Sequence, residues 1–97
     1  MPKSAFSANS QAKVCAAAIV ASLAGEPPPD PLLINHCYSF VAPDQAISIT
    51  GVYGYSRDDG QLIVRSTGET PPHGDRRREA GYARAWQRSF KKDVFGY

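Results

Sequence analysis

From Gln11 to Leu23 the chain is almost entirely small and apolar. Val14, Ala17, Ala18 and Ala21 recur at the i, i+3, i+4, i+7 spacing of a helix face, and Ile19 and Leu23 widen it. Alanine dominates this stretch and is the best helix former. Ser7, Asn9 and Ser10 offer capping oxygens, so the spacing predicts a helix entered through Ser7–Gln11 and buried on most sides. Gly25 is placed to end it, and "EPPPDP" (Glu26–Pro31) forbids its continuation and forms a stiff connector. The period then changes. Cys37–Val41 is a short candidate strand. Ile47–Tyr55 is rich in β-branched and aromatic residues, with Ile47, Ile49, Gly51, Tyr53 and Tyr55 on one face. "RDDG" (Arg57–Gly60) is a turn, and Gln61–Ser66 is the return strand of a hairpin. "TGETPPHGD" (Thr67–Asp75) reads as a loop. A second helix runs from about Asp75, its cap, to Lys92, with an early acid at Glu79. Tyr82, Ala83, Trp86, Phe90 and Val94 form its apolar stripe. The order α, β, β, β, α predicts an α+β fold: a small antiparallel sheet of about three strands flanked by helices.

Ninety-seven residues allow one small domain with a thin core. The apolar fraction of 42% and charged fraction of 21% are ordinary for a globular chain. A formal charge of +2 does not by itself imply nucleic acid, although basic residues gather in the C-terminal third. They read there as a solvated helix face, so no nucleic-acid partner is expected. There is no apolar leader segment, and no apolar run approaches the ~18 residues of a membrane span.

The chain lacks GxGxxG, a P-loop, CxxC and paired histidine ligands. His36 and His73 bracket no ligand cluster, so no metal site is expected. Cys15 and Cys37 permit one disulfide without requiring it. Each can be a small apolar residue, they can bond to each other, or one can be redox-active with a partner elsewhere. Cys15 lies in the alanine-rich helix, where an inert role is expected. Cys37 adjoins His36 where the linker meets a strand, a setting that can stabilise a thiolate.

Three stretches together resemble one family. These are "MPKSAFSANSQAK", then "CYSFVAP" followed by "ISITGVY", and the terminal "AGYARAWQRSFKKDVFG". They are similar to the C-terminal region of the flavoprotein subunit of flavocytochrome c sulfide dehydrogenase. The resemblance covers nearly the whole chain. It implies that residues 1–97 are a single flavin-contacting domain of a longer protein, whose FAD- and NAD-type nucleotide-binding domains lie upstream. The implied fold is similar to the interface domain of disulfide reductases.

The resemblance also implies roles. Ser7, Ala8, Asn9, Ser10 and Gln11 would point a helix N-terminus at the flavin, with Trp86 nearby. Cys37 would be half of a redox disulfide whose mate lies outside this chain, and Cys15 would be structural. Sulfide would attack that disulfide, and electrons would pass through FAD to the haem of a partner cytochrome c subunit in the periplasm. A thiosulfate-oxidation-associated flavoprotein and a sulfide:quinone reductase share this logic. A different class of reading is a non-catalytic interface module, with Cys37 as packing. The stretch "HGDRRREAGYARAW" is more basic than the resemblance leads one to expect.

Overall fold

The computed structural model describes residues 1–97. It contains helix α1 (Ala5–Leu23), strands β1 (Leu32–Ala42), β2 (Gln45–Ser56) and β3 (Gln61–Glu69), and helix α2 (Arg76–Phe95). The strands form one antiparallel sheet in the order β1-β2-β3. The α+β class expected from the sequence is the one observed. The chain divides into two compact units, Met1–Asn35 with Gly51–Thr67, and His36–Thr50 with Gly68–Tyr97.

In the first unit, α1 starts earlier than its alanine run suggests. Ser4 is the N-cap, in extended conformation, and its side chain accepts from the Ser7 N–H. This is the usual N-cap bond, made to the third helical residue. Ser7–Gln11 therefore lie inside the helix and not at its entrance. The cap moves because Ser7 has other work: its hydroxyl donates to Oδ1 of Asn35 at 3.0 Å. The Ser4 hydroxyl donates to the same oxygen at 2.7 Å. The Ile34 N–H donates to Ser10 Oγ at 3.1 Å. Three serines at i, i+3 and i+6 thus tie the helix's N-terminal half to β1. Gly25 ends it with φ of 72°, the left-handed conformation glycine adopts freely.

The expectation that α1 is buried on most sides does not hold. Ser7 is its buried residue, while Val20 is 66% and Leu23 85% exposed. The serine bonds to β1 lie at Ser4, Ser7 and Ser10, around the start of the helix and not in its apolar C-terminal half. Cys15 is exposed as well, which removes the reason given for its inertness.

In the second unit, Ala46, Ala80 and Ala83 are buried together, with Tyr38 packed against them. Asp75 caps α2 by accepting from the Arg78 N–H at 3.1 Å, and Gly96 closes it with φ of 80°. The apolar stripe of α2 differs in part from its prediction. Ala83 is buried and Trp86 and Phe90 are half-buried, but Tyr82 and Val94 are exposed, and Ala80 takes the inner position. The two faces of β2 alternate as expected, with Gly51 buried in the odd-numbered set. The residue of β2 that meets α2 is Ala46, of the even-numbered set, whereas Ile49 is exposed. Ser48 of the same set is held by Thr70, whose Oγ1 accepts from the Ser48 N–H at 2.8 Å. Strand alternation makes the two sets exclusive.

Candidate functional site

Two places gather the residues singled out in the sequence. The first is the start of α1. A cavity of about 450 Å³ opens there, lined by Lys3, Ser4, Ala5, Ser7, Ala8 and Gln11 among others. The first turn of α1 contains no acidic residue to add negative charge at the helix's start. Lys3 adds a full positive charge. A helix N-terminus beside a lysine suits an electron-rich carbonyl or an anion. Ser7, Ala8 and Gln11 contribute to this cavity. Ser10 is occupied by the Ile34 N–H, and Asn9 is half-buried. Two residues the sequence reading missed hold the place together: Ser4 as cap, and Asn35 as the buried acceptor of two serine hydroxyls. Asparagine is depleted in strands, so Asn35 carried no strand signal, and its pairing with Ser4 and Ser7 spans about thirty residues of sequence.

The second place is β1 around Cys37. Both cysteines are thiols, Cys15 exposed and Cys37 half-buried. Successive side chains on a strand point to opposite faces. His36 and Tyr38 share one face of β1, and Cys37 takes the other. The His36 face is aromatic: the rings of His36 and Tyr38 meet edge-on at 4.8 Å, and Tyr38 and Trp86 lie 5.6 Å apart. Trp86 stacks on Phe90 at 5.8 Å with 13° between the planes. His36 Nδ1 also hydrogen-bonds Thr50 Oγ1. The expected support of the Cys37 thiolate by His36 is therefore not present: the imidazole is turned to the aromatic face. Burial there lowers the His36 pKa from its usual value, and Glu79 opposes the shift. Burial likewise raises the Tyr38 pKa, with Glu79 and Tyr82 adding to it. Trp86 belongs to the same aromatic face. No group of three His, Cys, Asp or Glu side chains is arranged to hold a metal. No helix is long and apolar enough to cross a membrane.

Residues 29–95, well over half of the chain, match the family described as flavocytochrome c sulphide dehydrogenase, flavin-binding. The chain belongs to that family. It is thus a flavin-binding domain of the flavocytochrome c sulfide dehydrogenase type, and its family is one of oxidoreductase flavoproteins. The match takes in the whole sheet and α2, including Cys37 and Trp86, and begins after α1. The resemblance read from the sequence agrees with it. Within this sulfide dehydrogenase family the cofactor is a flavin.

Proposed function

We propose that these 97 residues are the flavin-contacting domain of an FAD-dependent sulfide dehydrogenase, with Cys37 as half of its redox disulfide. The observation that carries this reading is a half-buried thiol, Cys37, within the segment that matches a sulfide dehydrogenase family. The mate of Cys37 is a cysteine outside these residues. Hydrosulfide attacks the mate's sulfur. A new S–S bond leaves a persulfide on the mate, the old bond breaks, and Cys37 departs as the thiolate with the electron pair. When bound, FAD supplies the two-electron acceptor for that pair and the one-electron donor to a cytochrome c haem. The N-terminus of α1 favours negative charge at the ring it faces, through its dipole and Lys3. Ser7 and Asn35 hold that end in place, while Ser7, Ala8 and Gln11 line the approach. Trp86, held by Phe90 and Tyr38, lies on the face of β1 opposite Cys37, so it would act by supporting β1 and not from the thiol's side of the flavin. The partner is the cytochrome c subunit, and the compartment is the periplasm.

The test is an anaerobic titration of the complete flavoprotein subunit with sulfide, followed by addition of the cytochrome subunit. Flavin bleaching by sulfide, then reduction of the haem, is expected. Bleaching that needs dithionite and fails with sulfide removes the proposed activity.

A further inference from the structure

Charge is unevenly divided along this chain. Helix α2 holds seven of the eleven Lys and Arg residues and two of the nine Asp and Glu. It therefore carries +5 while the whole chain carries +2, so the remainder is net negative. The low total charge hides this segregation.

The cations of α2 are also ordered around its axis. At 3.6 residues per turn, Arg77, Arg84, Arg88, Lys91 and Lys92 fall within about 100° of one another, turned away from Ala83, Trp86 and Phe90. Both acids of the helix, Glu79 and Asp93, fall on the other side. All five cations are exposed. Arg84 is fixed by Asp44 at 3.3 Å and lies over the Phe40 ring at 5.7 Å. From Arg77 to Lys92 the stripe is about 22 Å long. It ends in an exposed aromatic pair: Phe95 stacks on Tyr97 at 6.1 Å, and Lys91 Nζ lies 5.1 Å from the Tyr97 ring centre.

Arginines beside exposed aromatics are what protein interfaces favour, and the one acid paired with the stripe is Asp44, on Arg84. A standard interface of about 800 Å² per partner is roughly 28 Å across, which suits the length of the stripe. Outside α2, the charged residues of its own unit are Asp44, Glu69 and Asp75, all acids, which a polyanion longer than the stripe would meet. We propose that this face of α2 docks the acidic surface of the protein that accepts electrons from the flavin. This rests on the reading above that the acceptor is a cytochrome c subunit. The stripe steers encounter through long-range attraction, and Phe95 and Tyr97 supply the apolar contact.

The test uses the complete flavin-loaded subunit, reduced beforehand with dithionite so that sulfide chemistry is not involved. It is mixed rapidly with the cytochrome subunit at low and high ionic strength. The triple variant R77E/R88E/K92E should lose at least about ten-fold in second-order rate constant at low salt, and the loss should close at high salt. R77Q/R88Q/K92Q should show a smaller loss in the same direction, and serves if the charge-reversed protein fails to fold. Sulfide-dependent flavin bleaching should be the same in all three proteins. A rate constant and salt slope unchanged by either variant would overturn the docking face while leaving the acceptor reading intact. No haem reduction by the wild type would remove the acceptor reading, and the docking proposal with it. Binding of a short DNA duplex or of phosphatidylserine vesicles that the variants lose, with haem reduction unaltered, would also overturn it.

Discussion

Replacing Asn35 by Ala tests how the start of α1 is held. Asn35 is 3% exposed, and its Oδ1 accepts from Ser4 and Ser7. Each hydrogen bond contributes about 0.5–1.5 kcal/mol net, and a buried hydroxyl left without a partner costs about 1–3 kcal/mol. Ser4 is half-buried and can turn to water, but Ser7 is 2% exposed and cannot. The expected cost is therefore about 2–4 kcal/mol. Ser7→Ala alone should cost only about 1 kcal/mol, because it removes the group that would be orphaned. Added to Asn35→Ala, it should cost almost nothing, so the two changes are strongly non-additive. Amide hydrogen exchange in the complete subunit reads the effect directly. The first turns of α1 should exchange roughly 30- to 1,000-fold faster in Asn35→Ala, and flavin affinity should fall with them. Acceleration below about three-fold, or single-site costs that simply add, would show that these bonds do not anchor the helix.

Further outcomes follow from the same contacts. Maleimide should label Cys15 quickly in the native protein, and Cys37 slowly before reduction and faster after it; equal labelling of Cys37 in both states would contradict a redox role. The His36 pKa is lowered by burial, so the folded protein binds fewer protons than the unfolded chain below the usual pKa of 6.5. Stability from this group is complete above pH 6.5 and is lost as pH falls through the lowered value. His36→Asn should flatten that part of the pH–stability curve, and an unchanged difference between pH 7 and about 5 would refute the assignment. Trp86→Ala removes the stack on Phe90 and the contacts to Tyr38 and His36, and should cost about 3–5 kcal/mol in chemical denaturation. The isolated 97 residues bury one leucine and three alanines as their hydrophobic core and leave Val20, Leu23 and Phe95 exposed. They should show no cooperative melting well above room temperature, and a sharp calorimetric transition there would count against that.

The elements most legible in the sequence were those whose determinants are local. Helix α2 could be read because its cap Asp75 and its inner Ala83 and Trp86 lie within or next to its own span, although it runs on past Lys92 to Phe95. The turn at Arg57–Gly60 was equally local, with Gly60 at φ of 66°. The start of α1 was not legible, because "KSAFSANS" offers four competing caps, and the choice is made by Asn35 far along the chain. The length of β1 was missed for the same reason: a buried asparagine interrupts its apolar pattern, and two serines of the α1 end hold its side-chain oxygen. The exposure of Val20 and Leu23 runs against composition altogether, since alanine-rich apolar helices are normally covered. Of the candidate site, Cys37 was legible as a residue, but not the face it occupies. Adjacency to His36 suggested cooperation, and strand alternation separates the two.

A redox thiol at Cys37 makes flavin reduction by sulfide depend on its sulfur. That dependence is tested most directly by Cys37→Ser in the complete flavoprotein subunit, with flavin reduction by sulfide followed anaerobically in a stopped-flow spectrophotometer. Full flavin occupancy with loss of sulfide-dependent bleaching, and bleaching retained with dithionite, is the predicted result. Bleaching by sulfide at the wild-type rate would contradict the account and leave Cys37 a packing residue of β1.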